Sequence, residues 1–263
     1  MHVHPTALID PGANLAPDVV VGPYAIISAG VTLGAGCVVG PHVVIHPYVT
    51  IGERCALHAG AVIGDTPQDL SFKEVPSFVE IGNQCILREG VTIHRGTKEN
   101  TSTRVGDHCL LMANSHLAHN VELADHVILA NGVMLAGYVT VGERVFIGGG
   151  AGLHQFIRVG RLAMIGGLSG LSQDVPPFCT TSSVTYNELA GLNTVGLKRA
   201  GFSPEVRTEI KRAFKCYFRS GLSRAAAEAQ LEAAGPSDPV RELITFVRES
   251  KRGVCSARSA DPS

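Results

Sequence analysis

The sequence predicts a mainly β fold: a three-sided coil of short parallel strands, followed by a small α-helical domain. Every sixth residue from Val3 to Leu171 is Ile, Leu or Val, with Asp69 and Glu99 as the only exceptions. Six residues span about 1.7 helical turns, which would scatter these side chains around a helix instead of along one face. After Leu171 the period ends and helix-capping patterns follow. Residues 1–178 are therefore assigned to the coil.

Three six-residue units complete one coil, so residues eighteen apart stack at the strand spacing of about 4.8 Å. The aliphatic row points inward, and so does a second row of small residues four positions later, such as Ala25, Val43 and Cys55. Glycine often follows the aliphatic residue, which predicts tight corners that use its backbone freedom. Small aliphatic side chains thus form the core, in agreement with an aromatic content of only 5% and no tryptophan.

The period fails twice, at 66–78 and at 97–103, and both polar segments are interpreted as loops extruded from the coil. The first loop begins after Ile63, which the eighteen-residue spacing places on the same wall as Leu117, three coils away. Gln68 and Asp69 are therefore expected above the wall that contains Leu117. Loops on a rigid scaffold commonly carry function.

Beyond the coil, residues 179–200 are expected to form an irregular connection, and 201–252 an α-helical domain. Ser203-Pro204-Glu205 predicts a helix start with an N-cap, a proline in the first turn and an acidic residue. Residues 253–263 are expected to be a frayed tail. Basic residues are concentrated in residues 198–224, which predicts a docking patch for an anionic partner or a diphosphate. The open alternative is a solvated helix face.

The composition excludes several classes of protein. A hydrophobic content of 45% with 17% charged residues excludes a disordered chain. A net charge of −1 disfavours a nucleic-acid binder, and no run of apolar residues is long enough for a transmembrane segment. The N-terminus lacks a secretory signal pattern. With seven cysteines, an odd number, we expect a cytoplasmic protein.

Two of the eleven histidines stand out because the coil relates them. His119 and His154 fall on one wall, two coils or roughly 10 Å apart. Gly137 lies on the coil between them and leaves its backbone N–H approachable. A base, a bare backbone donor and a second imidazole form a usable catalytic layout. Surface histidines without function are the open alternative.

Several longer motifs resemble one enzyme family over nearly the whole chain. They are HPTA (4–7), QDL (68–70), VTIHRGT (91–97), SHLAHN (115–120), LAGYV (135–139), HQF (154–156), GGLSGLSQDVPP (166–177) and GLKRAGFS (196–203). The chain is similar to acyl-carrier-protein-dependent UDP-N-acetylglucosamine O-acyltransferases, which begin lipid A biosynthesis. The resemblance implies a left-handed parallel β-helix of hexapeptide repeats and a homotrimer with active sites between subunits. It implies no cofactor and no metal, because the phosphopantetheine thioester of acyl carrier protein is itself a substrate.

The resemblance also implies roles for individual residues. His119 matches the general base, Gly137 the backbone oxyanion donor and Asn120 the residue that orients His119, in a direct transfer without a covalent intermediate. Gly167 matches a position that limits acyl length. Substrate-binding positions are Gln68, Asp69, His94, His116, His154, Gln155, Asn193 and Arg199. A basic helix with Arg207, Lys211, Arg212 and Lys215 is expected to dock acyl carrier protein.

Five positions depart from the family pattern. Asn120 replaces an aspartate, Tyr138 a histidine, Ser71 a lysine, Val195 an acidic residue and Ala200 an arginine. These departures leave open the strength of the base, the nucleotide contacts and whether the sugar 3-position carries a hydroxyl or an amine.

Three alternatives remain at this stage. One is a related hexapeptide acyltransferase with an amino-sugar acceptor, and another is an inactive β-helical scaffold. The third is a metal-dependent carbonic-anhydrase-like β-helix using His94, His116 and His119. Against a shared metal, the interval from 94 to 117 is not a multiple of eighteen, which places His94 on a different wall.

Overall fold

Residues 2–257 are described by a computed structural model and form a three-sided coil with four helices at its C-terminal end. The strands form three sheets, one for each side of the coil, and within the coil they pair in parallel. The predicted fold class, a left-handed parallel β-helix followed by a small helical domain, is confirmed. Within the described residues, no helix is long and apolar enough to cross a bilayer.

The strands fall into three sheets, which we call A, B and C. Sheet A contains β1 (His2–Val3), β4 (Val20–Val21), β7 (Val38–Val39), β10 (Ala56–Leu57), β13 (Ile86–Leu87), β16 (Leu110–Leu111), β19 (Ile128–Leu129), β22 (Phe146–Ile147), β25 (Met164–Ile165), β27 (Cys179–Thr181), β28 (Glu188–Leu192) and β29 (Ser256–Ala257). Sheet B contains β2 (Leu8–Ile9), β5 (Ile26–Ile27), β8 (Val44–Ile45), β11 (Val62–Asp65), β14 (Thr92–His94), β17 (His116–Leu117), β20 (Met134–Leu135), β23 (Gly152–Leu153) and β26 (Gly170–Leu171). Sheet C contains β3 (Asn14–Leu15), β6 (Thr32–Leu33), β9 (Val49–Ile51), β12 (Phe78–Ile81), β15 (Ser102–Val105), β18 (Glu122–Leu123), β21 (Thr140–Val141) and β24 (Arg158–Val159).

The core consists of the two predicted inward rows. The aliphatic residue of each unit and the small residue four positions later are buried from Val19 onward. Cysteines fill the small row in four successive coils, and their thiols donate to carbonyls of the next coil, as Cys37 Sγ does to the Gly52 oxygen at 3.0 Å. The narrow prism therefore needs no ring in its interior.

The corners correct the predicted role of glycine. A positive φ occurs three residues after the aliphatic one, as at Tyr24 and His42, and proline precedes both residues in the turn. This is the pattern of a type II turn. Gly34, which directly follows its aliphatic residue, has no positive φ; a Cβ there would lie 2.7 Å from the Gly52 carbonyl of the next coil. Glycine at that place permits close stacking of coils and is not needed for the turn itself.

The two predicted loops leave the coil at one corner. Residues 66–77 connect β11 to β12, and residues 95–101 connect β14 to β15, so both lie between sheets B and C. They lengthen two coils: Ile63 pairs with Ile93, and Ile93 pairs with Leu117. Ile63 and Leu117 therefore share a wall as predicted but are two coils apart, not three. The placement of His94 on a different wall is wrong, because the second loop adds six residues to its coil.

The connection and the tail are more regular than predicted. Within 179–200, β27 pairs with β25 and with antiparallel β28, and α1 (Thr194–Arg199) follows, since the open edge of sheet A still offers backbone partners after the period ends. Helices α2 (Pro204–Arg219), α3 (Arg224–Ala233) and α4 (Asp238–Arg248) form the helical domain. The expected fraying is wrong for residues 253–257, because β29 pairs with β28; residues 258–263 lie outside the described residues.

Candidate active site

The candidate site lies on the corner between sheets B and C, below the two extruded loops. Two columns stack there with the eighteen-residue spacing of the coils: one contains His119, Gly137 and Gln155, and the other Asn120, Tyr138 and Phe156. Backbone hydrogen bonds fix the stacking. The Tyr138 N–H donates to the His119 carbonyl at 3.1 Å, and the Phe156 N–H donates to the Gly137 carbonyl at 3.1 Å.

Gly137 lies directly against the imidazole of His119. A Cβ at this position would overlap the ring atoms Cε1 and Nε2, so any other residue would push the imidazole out of its place. The Gly137 N–H donates to no protein acceptor among the described residues. The same turn position is proline in other coils, as at Pro23 and Pro41, which shows that the fold does not need this N–H. The donor is therefore available to a ligand beside His119.

His119 is held from its Nδ1 side. Nδ1 lies 3.2 Å from the Asn120 Oδ1, and this oxygen also accepts from the Thr97 backbone N–H and the Thr97 hydroxyl, both at 3.0 Å. The Thr97 Oγ1 lies 3.0 Å from the Tyr138 hydroxyl. No role was predicted for Thr97, because it lies where the period of six breaks and only the fold brings it to the corner.

A cavity of about 510 Å³ follows this corner along sheet B. Gln68 from the first loop lines the same cavity as His119, which agrees with its predicted place above this wall, whereas Asp69 does not line it. His154 and Gln155 line the cavity one coil beyond Gly137. The cavity continues over outward-facing glycines of sheet B, Gly152 and Gly170, toward Tyr186. The sequence correctly placed His119, Gly137 and His154 on one wall. The remaining lining residues are His116, Ala118, Met134, Leu135, Ala136, Leu153 and Leu171.

Two further histidines adjoin this wall in a neutral environment. The rings of His94 and His116 meet edge to face at 4.9 Å, and the Thr92 hydroxyl lies 2.7 Å from the His116 Nδ1. Burial, and secondarily the proximity of His116, lowers the pKa of His94 to about 4. Burial also lowers the pKa of His116. The His94 Nδ1 is buried without a protein partner, and no group of three His, Cys, Asp or Glu side chains in residues 2–257 is arranged to hold a metal ion.

The first loop carries the carboxylate of Asp69. Hydrogen bonds from the Ser71 backbone N–H and hydroxyl, at 2.9 and 2.8 Å, lower the pKa of Asp69, and attraction to His119 lowers it further. Arg95 anchors the loop: its guanidinium donates to the Val75 carbonyl at 2.8 Å and pairs with Glu74. The repeat pattern does not indicate this buried arginine, although it holds the loop in place.

At the far side of the cavity, His154 contacts the C-terminal segment. The Arg252 Nη2 lies 2.9 Å from the His154 Nδ1, and the Gln155 carbonyl lies 3.3 Å from the same nitrogen. Arginine can only donate, so in the shorter contact Nδ1 accepts and a neutral ring carries its proton on Nε2; the Gln155 carbonyl then receives no hydrogen bond from this ring. Buried Asp174 holds this segment through the Ser250 hydroxyl at 2.8 Å and the Cys255 backbone N–H at 2.9 Å.

Two predicted substrate-binding residues lie in a different cavity. Asn193 and Arg199 line a space of about 690 Å³ on the sheet A side, together with Arg144. The Asn193 side chain also caps α1, accepting from the Gly196 N–H and donating to the Leu162 carbonyl, both at 2.9 Å. Gly167 lines neither cavity; it lies at a corner beside Gly149. One chain thus presents two separate groups of candidate residues.

Family models match both parts of the chain. The model described as bacterial transferase hexapeptide (six repeats) matches residues 1–35, 31–65 and 102–137. The model described as UDP-N-acetylglucosamine O-acyltransferase, domain 2, matches residues 174–255.

Similar proteins share nearly the whole length. The chain is 59% identical over 256 residues to the acyl-[acyl-carrier-protein]–UDP-N-acetylglucosamine O-acyltransferase of Aquifex aeolicus, covering 97% of this chain and 98% of the relative. The protein of the same name from Anaeromyxobacter is 43% identical, with 97% and 99% covered. Among solved structures, UDP-N-acetylglucosamine O-acyltransferase of Moraxella catarrhalis has a TM-score of 0.92 at 37% identity, with 97% and 100% covered. The acyltransferase of Francisella novicida has a TM-score of 0.93 at 32% identity, with 98% and 94% covered.

Buried His94 makes stability depend on pH. Because its folded-state pKa lies below the value of about 6.5 expected in the unfolded chain, the unfolded state binds more protons between these values. The free energy of unfolding should therefore fall by roughly 2–3 kcal/mol from this group as pH drops from 7 toward 4. Denaturant titrations at both pH values should show that this part of the pH dependence is lost in His94→Gln. It should be retained in His126→Gln, the control at an exposed position. An unchanged pH dependence in His94→Gln would contradict this.

Proposed function

The chain belongs to the acyl-[acyl-carrier-protein]–UDP-N-acetylglucosamine O-acyltransferase family, and we propose from this premise how its corner site carries out the transfer. As a member, it is an enzyme of lipid A biosynthesis that moves an acyl group from acyl carrier protein to UDP-N-acetylglucosamine. We propose a 3-hydroxyacyl donor, the sugar 3-hydroxyl as acceptor and His119 as general base. The observation that most directly supports this role of His119 is the contact of its ring with the backbone of Gly137, which has no side chain.

The proposed step begins at the His119 Nε2. Because Nδ1 donates to the Asn120 oxygen, Nε2 is free to accept the proton of the sugar hydroxyl. As this proton leaves, the hydroxyl oxygen forms a bond to the thioester carbon. The Gly137 N–H donates to the oxyanion that forms. When this intermediate collapses, the carbon–sulfur bond breaks and the pantetheine thiolate leaves, taking the proton from the imidazolium. Protons balance without any added reactant.

We propose that the transfer is direct. A covalent route needs a nucleophilic side chain at the site, and the seven cysteines, the strongest nucleophiles of this chain, are all buried. Neither a metal nor a cofactor enters the proposed step, because the base, the oxyanion donor and the leaving thiolate account for it. We also propose that the enzyme acts in the cytoplasm, where its unpaired thiols would stay reduced.

The remaining predicted contacts would serve the substrates. Gln68, Asp69, His94, His116 and Gln155 would hold the sugar and its diphosphate, and His154 would donate from Nε2 toward the acyl or pantetheine path. Asn193 and Arg199 would contact the nucleotide from the second cavity, and Gly167 would limit acyl length. In support, Gln68, His116, His154 and Gln155 line the first cavity, and Asn193 and Arg199 line the second.

We propose a homotrimer whose active sites lie between subunits. The outward faces of the coil support it. Sheet A presents Val38, Ile86 and Met164, which are 47%, 41% and 39% exposed in one chain. Sheet C presents polar residues such as Thr50 and Glu122. Sheet B presents Leu8 and Met134, which are 64% and 54% exposed. The apolar walls A and B of one chain face different directions and can pack together only between copies, which would bring the second cavity toward the first.

We propose that α2 docks acyl carrier protein through its basic stripe. Lys211, Arg212, Lys215 and Arg219 are exposed and spaced so that they share one face of the helix. None of them has a carboxylate within 4.0 Å in the part of the chain that is described. Arg207 extends the stripe by one turn, although it is partly buried. An uncompensated stripe of this kind suits an acidic surface.

The general base is tested with His119→Ala. Single-turnover transfer from 3-hydroxyacyl carrier protein to UDP-N-acetylglucosamine should slow by about 10²–10⁴-fold, because the sugar hydroxyl loses its proton acceptor. His108→Ala, at an outward corner, should retain the wild-type rate. Full activity in His119→Ala would refute the mechanism. A preference for a 3-amino sugar in parallel assays would show that the acceptor is an amine and not the 3-hydroxyl.

The trimer is tested with a charge on sheet A. Ile86→Glu should shift the mass in analytical ultracentrifugation toward the monomer, because burying a carboxylate between subunits is costly. Thr50→Glu, on sheet C, should leave the trimer intact. A trimer that tolerates both charges equally, or a wild-type monomer, would contradict the proposed packing.

The docking stripe is tested by charge reversal. Lys211→Glu combined with Arg212→Glu should raise the KM for the carrier protein about ten-fold or more, with kcat retained, because the encounter with an acidic partner weakens. Arg241→Glu on α4 is the matched control. An unchanged KM in the double variant would remove α2 from the interface.

A further inference from the structure

We propose that Tyr138 and Thr97 are positioning residues that make an asparagine at position 120 compatible with a histidine base. This proposal rests on the function proposed for His119. An aspartate presents oxygen to the ring in either orientation, whereas an asparagine presents oxygen or nitrogen. If the Asn120 nitrogen faced His119, it would donate to Nδ1, the ring proton would move to Nε2, and the neutral ring would lose its base. The corner therefore needs a device that selects the oxygen.

The Thr97 backbone N–H is the first part of that device. It points at the Asn120 side chain from 3.0 Å and can only donate. A flipped amide would set two donors against each other at this contact, in a side chain that is only 8% exposed. The oxygen is thereby fixed toward Thr97, and the 3.2 Å contact with the His119 Nδ1 is a donation from the ring.

The Thr97 hydroxyl is the second part, and Tyr138 sets its direction. The Asn120 oxygen accepts only, so the Thr97 hydroxyl must donate across their 3.0 Å contact. Because its only proton is donated to Asn120, this hydroxyl accepts from the Tyr138 hydroxyl at 3.0 Å. The chain Tyr138, Thr97, Asn120 thus has one consistent direction, and every proton in it favours a bare Nε2 on His119.

Tyr138 is itself fixed in place. It occupies the turn position with a φ of 61°, its ring stacks on Phe156 at 4.9 Å, and its edge contacts the His119 ring at 5.3 Å. The Asn120 backbone is held in turn by the Thr103 hydroxyl at 2.8 Å. A rigid donor at this distance can hold the Thr97 hydroxyl against water. Two departures from the family pattern, Asn120 and Tyr138, are thereby connected through one side chain.

Neutron crystallography tests the direction of the network without any assay. In the wild type, a deuteron is expected on the His119 Nδ1, on the Thr97 hydroxyl facing Asn120 and on the Tyr138 hydroxyl facing Thr97. In Tyr138→Phe, which keeps both ring contacts, we expect the Thr97 hydroxyl to rotate or the His119 deuteron to be shared between both nitrogens. A deuteron on Nε2 in the wild type, or an unchanged network in Tyr138→Phe, would overturn the proposal. This readout stands even if His119 proves not to be the base.

Kinetics test the connection to Asn120. Tyr138→Phe and Thr97→Val should each lower kcat about 3- to 10-fold with KM retained, the effect of one buried hydrogen bond. Thr97→Ser should restore the rate. In an Asn120→Asp background, which needs no selection of oxygen, Tyr138→Phe should change kcat less than 2-fold. Tyr24→Phe, at the same turn position of another coil, is the control. Equal losses in both backgrounds would show a merely structural role and overturn the proposal.

Discussion

The vertical stacking of coils is the constraint on which the site depends. Each coil hydrogen-bonds to the next in register, so a residue at a corner lies on the residue one coil earlier. His119 and Gly137 meet because of this stacking, which the Tyr138 N–H maintains by donating to the His119 carbonyl at 3.1 Å. Stacking also decides which atoms are free: the turn position of Gly137 is proline elsewhere, and its N–H has no structural duty. The backbone at this corner is therefore fixed by the stacked coils, and the side chains placed on it determine whether the corner can act as a catalytic site.

The sequence predicts those parts of the structure that follow the six-residue repeat. The three walls, the two inward rows, both loops and the alignment of His119, Gly137 and His154 follow from counting. The eighteen-residue spacing assigned His94 to the wrong wall, because the loops add residues to two coils while the six-residue repeat stays in register. It also missed Thr97 and Arg252, which lie outside the repeat and reach the site only through tertiary contacts. Strand pairing after residue 178 was missed because an open sheet edge recruits partners without any repeat.

The corner is poor in charge, and this shapes the chemistry available to it. Burial lowers the pKa of both His94 and His116, and the group that contacts the His119 Nδ1 is an amide. An amide orients a ring but does not stabilise its positive charge as a carboxylate does. Asp69 is the nearby exception, a carboxylate on the first loop that accepts from the Ser71 backbone N–H and hydroxyl.

One chain contains the parts of a site without assembling them. The column with His119 belongs to the corner of sheets B and C, whereas Arg199 and Asn193 lie on the sheet A side, with the core of the coil between the two walls. A prism with three filled sides cannot fold to bring them together, because every wall is fixed by the same ladder. If both groups act on one substrate, a second copy must supply the missing wall. Association of copies would then be a condition of activity, and the apolar faces of sheets A and B are the surfaces on which it has to occur.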